Sequence, residues 1–347
     1  MSVLNFLNRP LKVLIDSRLF ICRYQSQRLL DLLNKKAVIE NENNDELETL
    51  PLGNTIEWNK KLKAYRMQSQ EKNALKLFEV GIRKHQFQPD YITYISMLEI
   101  CKDIKDVDSG KYIHRIINKS SVRDNSRLQI VLMEMYMKCG DVDSAREMFD
   151  GLKHRTVVEY NVLMTAYNNH QNPQRTIDLF NGMQETDKIK PNNISFILFF
   201  QACIQLQLFE QGKALHEELK QKTSNYMKNK ELSNQIVAMY IASGDYAIAE
   251  EYFNQIKDPS VTNYVGIMNY YNQLKNWERT IQLYDKMKSQ RKTQADVPTY
   301  LTVLTAIKEM KNIEAAKQVE QDLIKQNLWH NHAEIQNILG EILGNTE

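Results

Sequence analysis

TIEWNKKLKAYRMQSQEKNALKLFEVG (55–81), VVEYNVLMTAYNNHQNPQRTIDLFNGM (157–183) and VTNYVGIMNYYNQLKNWERTIQLYDKM (261–287) align without a gap, and their reading decides the fold. Tyr65, Tyr167 and Tyr271 fall at equivalent places, 102 and then 104 residues apart. A period of this kind is the mark of a repeat architecture, and it outranks any local motif. Within each period the pattern returns at shorter intervals. YITYISMLEICKDIKDVDSGKYIHRI (91–116) matches NISFILFFQACIQLQLFEQGKALHEE (193–218) and VPTYLTVLTAIKEMKNIEAAKQVEQD (297–322). SRLQIVLMEMYMKCGDVDSAREMFDGL (126–152) matches KELSNQIVAMYIASGDYAIAEEYFNQI (230–256).

The units therefore run 55–90, 91–125, 126–156, 157–192, 193–229, 230–260, 261–296 and 297–332, with 333–347 as a partial ninth unit or a capping helix. Each holds two segments of about a dozen residues with apolar side chains three and four apart, one buried face per helix. Turns such as KCGD and ASGD separate them, and Gly140 and Gly244 suit a helix C-terminus, where a left-handed backbone costs glycine least. Pro89 and Pro191 stand near unit ends, where a helix must stop. A single hairpin cannot bury its apolar face alone, whereas stacked hairpins share a continuous core. The expected class is all-α, a right-handed superhelical solenoid of helix-turn-helix repeats.

Composition agrees. The 347 residues carry 45 Lys and Arg against 43 Asp and Glu, a formal charge of +2, with only 11 Gly and 7 Pro. Such a balance permits a nucleic-acid partner but does not require one. Cys22, Cys101, Cys139 and Cys203 form no CxxC pair, which excludes a disulfide framework and familiar zinc spacings. No apolar run approaches the ~18 residues of a membrane span, so no membrane partner is expected. The first thirty residues differ: Arg9, Lys12, Arg18, Arg23 and Arg28 stand against the single acid Asp16, among many apolar residues. That composition resembles a mitochondrial targeting segment, and 35–54 reads as a linker.

A unit of about 35 residues with YN in its first helix, LF or MF in its second, and PD or PN at its end resembles the pentatricopeptide repeat. The rotation of 36, 35 and 31 residues resembles the P, L and S subtypes of that family, and MYMKCGDVDSAREMFDGL is close to its S-type pattern. The resemblance covers residues 55–332. It implies a binder of single-stranded RNA in an organelle, mitochondrial or alternatively plastid, acting in RNA processing, stabilisation or editing-site recognition. In the family the fifth and last residues of a repeat select a base, and an apolar second residue packs between bases. The implied base-selecting pairs are Asn59 with Asp90, Asn161 with Asn192, and Asn234 with Ser260, favouring U, C or U, and C. Ile56, Ile92, Val158 and Ile194 are the implied stacking residues. Ile95, Ile130, Ile197, Val265 and Leu301 hold the fifth place elsewhere and select weakly. Arg127, Glu231 and Thr262 depart from the apolar preference at the second place.

No catalytic residue, metal ligand, cofactor or small-molecule substrate is expected. Some relatives of this subtype end in a cytidine deaminase with HxE and PCxxC signatures, and neither occurs here. No Walker loop, GxSxG or GxGxxG is present. Cys101 and Cys203 share a place that Ile307 fills in the third copy, so they read as packing residues. His114 and His216 likewise coincide, with Glu320 in the third copy. Any deaminase, nuclease or ribosome would then act in trans. A second reading makes the chain a structural component of a mitochondrial ribosome or other assembly, with the repeats as a scaffold.

Overall fold

A computed structural model describes residues 55–84, 87–223, 225–290, 294–326, 328 and 332–344. The expected targeting segment (1–34) and linker (35–54) lie outside them. The described residues form no strand. Their helices are α1 (Thr55–Met67), α2 (Glu71–Lys84), α3 (Tyr91–Ile104), α4 (Val107–Ile117), α5 (Ser126–Lys138), α6 (Val142–Asp150), α7 (Val157–Asn169), α8 (Pro173–Glu185), α9 (Asn193–Leu206), α10 (Phe209–Lys222), α11 (Lys230–Ser243), α12 (Tyr246–Gln255), α13 (Val261–Gln273), α14 (Trp277–Ser289), α15 (Val297–Met310), α16 (Ile313–Lys325) and α17 (Ala333–Gly344). The chain divides into two compact units, residues 1–135 and 136–347. The described part of the first holds α1 to α4 and most of α5; the second holds the rest.

Helices pair into hairpins, and each hairpin turn places one residue in the left-handed region. These are Ser69, Lys105, Gly140, Gln171, Gln207, Gly244, Lys275 and Lys311, with φ between 51° and 85°. Only two are glycines, so six turns carry a side chain in a conformation that costs L-residues about 1 kcal/mol. Helix packing on both sides of the turn imposes it.

Five hairpin junctions carry an aromatic contact. The aromatic residue of the second-helix LF, MF, YF or LY pair meets the aromatic fourth residue of the next first helix. In the first compact unit Phe78 meets Tyr94 at 6.3 Å and 68°. In the second, Phe149 meets Tyr160 at 4.8 Å and 83°. Phe180 meets Phe196 at 5.9 Å, Phe253 meets Tyr264 at 4.9 Å and 89°, and Tyr284 meets Tyr300 at 6.3 Å. Except at Phe180 and Phe196, which are tilted at 59°, the positive edge of one ring lies toward the negative face of the other, a geometry worth about 0.5–1.5 kcal/mol beyond burial. Phe78, Phe149, Phe180, Phe253, Tyr94, Tyr264 and Tyr300 are all fully buried.

A polar tie accompanies it in the second compact unit. Buried Thr176 donates to Asn168 Oδ1 at 2.7 Å, and the Asn168 amide donates to the Leu198 carbonyl of the next hairpin at 2.9 Å. Thr280, Asn272 and the Thr302 carbonyl repeat the arrangement at 2.7 and 2.9 Å. Small residues set the remaining spacing. A Cβ on Gly110 would lie 2.4 Å from Met135 Sδ, and one on Gly212 would lie 3.3 Å from Met239 Cγ. Cys101, Cys203 and Ile307 are buried, in keeping with a packing role. At the C-terminal end, Ile335, Leu339 and Ile342 of α17 are buried, and α17 packs on α15 and α16.

His216 is more than a repeat-consensus residue. Fully buried, it sits with Nδ1 2.9 Å from the Tyr240 hydroxyl and Nε2 3.0 Å from that of Tyr226. Tyr226 belongs to a short 3-10 turn, Tyr226–Lys228, so the imidazole pins the linker after α10 onto α11. Burial pushes its pKa from 6.5 down to about 4. The neutral ring therefore stabilises the fold fully above pH 6.5, and that contribution fades as pH falls toward about 4. Urea midpoints measured between these pH values should drop in the native chain and respond less in His216→Phe. Truncation of the junction, Phe253→Ala, should cost about 3–5 kcal/mol. It should also split the urea transition in two, because hairpins on either side lose their coupling.

Candidate nucleic-acid interface

The last residue of one hairpin is the N-cap of the next first helix. Asp90, Asn192, Asn229, Ser260 and Asp296 each accept from the backbone N–H three residues on. These bonds satisfy donors that a helix start leaves orphaned. At Asp90, Asn192 and Asp296 the bond is reciprocal, with the hydroxyl oxygens of Thr93, Ser195 and Thr299 accepting from the N–H of the cap residue.

That cap also holds the fifth residue of the preceding hairpin. The Asn59 amide donates to Asp90 Oδ1 and Oδ2 at 3.3 and 3.4 Å, and its oxygen accepts from the Thr93 hydroxyl at 2.6 Å. Asn161, more deeply buried than Asn59, donates to Asn192 Oδ1 at 3.1 Å and accepts from Ser195 Oγ at 2.7 Å. Each of these two implied base-selecting pairs is thus in direct contact, with a third residue behind it. Thr93 and Ser195 are partners of these pairs that the sequence reading missed. Their signal was the spacing of Asp or Asn to Thr or Ser three residues later. An amide has two N–H donors and two lone pairs. Asn161 keeps one N–H and one lone pair unused, a donor and acceptor that match a pyrimidine edge, whereas Asn59 keeps one lone pair.

Asn234 differs. Its amide donates to the Lys230 carbonyl at 2.8 Å and the Asp258 carbonyl at 3.4 Å, while Oδ1 accepts from Ser260 N at 2.7 Å and Asn263 Nδ2 at 2.9 Å. All four capacities are engaged, so contact with a base requires exchanging one of these bonds.

The four implied stacking residues are the most direct observation. Ile56, Ile92, Val158 and Ile194 are 66%, 50%, 45% and 54% exposed, although their helices bury large apolar faces elsewhere. Arg127, Glu231 and Thr262 are exposed at the same place, whereas Ile95, Ile130, Ile197, Val265 and Leu301 are half-buried.

Five charged residues on the first helices of the first compact unit are tied to one another. Arg66 reaches Glu99 at 3.1 Å and Asp103 at 3.3 Å, and Lys102 reaches Glu99 at 3.3 Å and Glu134 at 3.2 Å. Burial alone would raise the Glu99 pKa, but Lys102 and Arg66 outweigh it and hold the carboxyl below its ordinary value. Asp90 is likewise held low: burial opposes ionisation, and the bonds from Thr93, Asn59 and the Ile92 N–H overcome it. Among the described residues no group of three His, Cys, Asp or Glu could hold a metal ion, and no helix is long and apolar enough to cross a membrane.

Paired helices, repeat-linked caps and a row of exposed apolar residues define a helical-hairpin repeat protein. Family models of the pentatricopeptide repeat domain and the PPR repeat match residues 149–205 and 131–157. A chloroplastic pentatricopeptide repeat-containing protein of Arabidopsis thaliana is 24% identical over 294 residues, 84% of this chain and 35% of the relative. A mitochondrial one from the same plant is 26% identical over 272 residues, 78% of this chain and 39% of the relative. The chain thus spans little more than a third of the length of these curated relatives. The crystal structure of the pentatricopeptide repeat protein PPR10 in complex with an 18-nt psaJ RNA element matches with a TM-score of 0.51 at 15% identity, over 90% of this chain and 53% of that one. Over residues 131–205 the chain matches the pentatricopeptide repeat, and over most of its length it is similar to pentatricopeptide repeat-containing proteins.

The hydroxyl behind Asn161 is testable. Ser195→Ala should lower stability by about 1 kcal/mol. It should also shift the side-chain amide resonance of Asn161, while that of Asn59 stays in place.

Proposed function

We propose that the chain binds single-stranded RNA, one transcript of an organelle, and that its amide-bearing hairpins select bases. The exposure of Ile56, Ile92, Val158 and Ile194, three residues before each fifth position, carries this reading. Water-exposed β-branched side chains at a fixed helical place have no packing role, and stacked bases would cover them. Stacking supplies roughly 1–3 kcal/mol per base whatever its identity. Unpaired bases are also the form in which RNA can be read by side chains.

Selection then rests on Asn161 with Asn192, whose spare donor and acceptor fit a pyrimidine, on Asn59 with Asp90, whose spare lone pair can accept from the U N3–H, and on Asn234 with Ser260 after a bond exchange. In chain order the register is 5′-U-N-N-Y-N-C-3′. The alternation of unit lengths supports the PLS subfamily. Relatives named chloroplastic and mitochondrial support an organelle, and of the two we favour the mitochondrion because of the basic, acid-poor residues 1–34. Processing, stabilisation or editing would then follow from recruitment of an enzyme in trans. With a net charge of +2 and Arg66 and Lys102 already paired, few phosphates are neutralised, so the salt dependence should be shallow.

Selection from a random single-stranded RNA pool at fixed salt tests this. The native chain should enrich that register, with Asn59→Ala and Asn161→Ala each relaxing its own position. Asn234→Ala should relax the C position less. Salt-sensitive retention with no enriched register, unchanged by the substitutions, would instead favour a scaffold in a ribosome or other assembly.

A further inference from the structure

Tyr167 and Tyr271 occupy the same place in their hairpins, and their surroundings differ in one instructive way. The Tyr271 hydroxyl lies 2.7 Å from both carboxylate oxygens of Glu250. Arg279 Nη2 reaches the same carboxylate at 3.4 Å, and its guanidinium stands 5.8 Å from the Tyr271 ring. Tyrosine, arginine and carboxylate close a triad between α12, α13 and α14.

At Tyr167 the arginine is retained, with Arg175 5.4 Å from the ring. The carboxylate is not. SAREMF (144–149) aligns with IAEEYF (248–253), so Arg146 stands where Glu250 would be. Arg146 cannot replace it as an acceptor, because a guanidinium only donates. Tyr167 is fully buried, yet among the described residues its hydroxyl meets only the donor Arg146 and no acceptor within hydrogen-bond distance. A buried hydroxyl without an acceptor costs about 1–3 kcal/mol, so the site is incomplete as it stands. What remains is an open cleft of about 680 Å³ lined by Asp143, Arg146, Glu147, Tyr167, Arg175 and Asp178.

We propose that this cleft binds a carboxylate, which takes the place Glu250 fills in the later hairpin. The group accepts from the Tyr167 hydroxyl and from the guanidinium groups of Arg175 and Arg146, whose fork geometry matches a carboxylate. Arg146 keeps donors for this purpose, because its bond to Asp150 at 2.8 Å uses Nε. Asp143, Glu147 and Asp178 on the lining repel a dianion, so a single negative charge fits and a phosphate does not. Five of the six lining residues belong to the second helices α6 and α8. Asn161 and Val158 sit on the first helix α7, so the cleft is distinct from the proposed RNA contacts. The carboxylate comes from a small organic acid or from an Asp or Glu side chain of a partner protein.

Acetate titrated into the full chain at constant ionic strength, with chloride as the balancing anion, tests the site through the thermal midpoint. The native midpoint should rise and saturate with acetate. In Tyr167→Phe, which keeps the ring and its packing, the acetate affinity should fall about tenfold, one charge-assisted hydrogen bond's worth. Arg146→Glu should restore the internal triad: its midpoint should exceed the native one without acetate and should not respond to acetate. A terminally capped peptide with one Glu separates the sources, since competition with acetate identifies a partner's side chain and its absence a small acid. Equal acetate responses in the native chain and Tyr167→Phe would overturn the proposal. So would stronger binding of inorganic phosphate than of acetate, or a lower midpoint in Arg146→Glu.

Discussion

The aromatic contact between one hairpin's second helix and the next hairpin's fourth residue, made at five junctions, is the constraint on which the stacking of those hairpins depends. An isolated helix pair of this length is marginal in water, because its apolar stripe has nothing to face. The aromatic junction gives that stripe a partner and also an angle. Ring edges meeting ring faces admit few orientations, so Phe253 on Tyr264 fixes how α13 leaves α12 as well as whether it stays. Everything downstream of that angle, including the caps and the amides they hold, inherits it.

Those caps do two jobs with one side chain. Asp90 and Asn192 terminate orphaned N–H groups at a helix start, and the same atoms grip the fifth residue of the hairpin before. A residue needed for folding thereby also orients the fifth residue of the hairpin before. The recurrence of Asp, Asn, Thr or Ser at unit ends has a stability origin even where the fifth residue is Ile or Leu and makes no bond to the cap.

Much of this was legible in the sequence, and the reason is periodicity. Tyr65, Tyr167 and Tyr271 set the register, and the register alone assigns each side chain a place within its hairpin. What escaped is whatever depends on a specific neighbour rather than on a place. Gly140 and Gly244 announced left-handed turns, but Lys105, Gln207 and Lys311 adopt the same conformation with no compositional sign, because packing imposes it. His216 read as a repeat residue, while its role depends on Tyr226 in a linker of irregular length. Asn59, Asn161 and Asn234 look alike when the repeats are aligned. Only the Asp258 carbonyl and the Asn263 amide make the last of them saturated.

The cap network also decides how far one working part of the chain extends. Asn59 lies in one hairpin, while Thr93, whose hydroxyl holds its oxygen, is the third residue of the next. Asn161 leans in the same way on Ser195, and Asn234 on Asn263. Leu128 and Leu232 occupy that third place after Ile95 and Ile197, and both are fully buried. A hairpin is therefore not a self-contained cassette. An asparagine transplanted to the place of Ile95 or Ile197 would find a capping side chain beside it but a leucine where its oxygen needs a donor. The third place must change with the fifth, so the smallest exchangeable piece reaches one helical turn past the border that the repeat lengths mark.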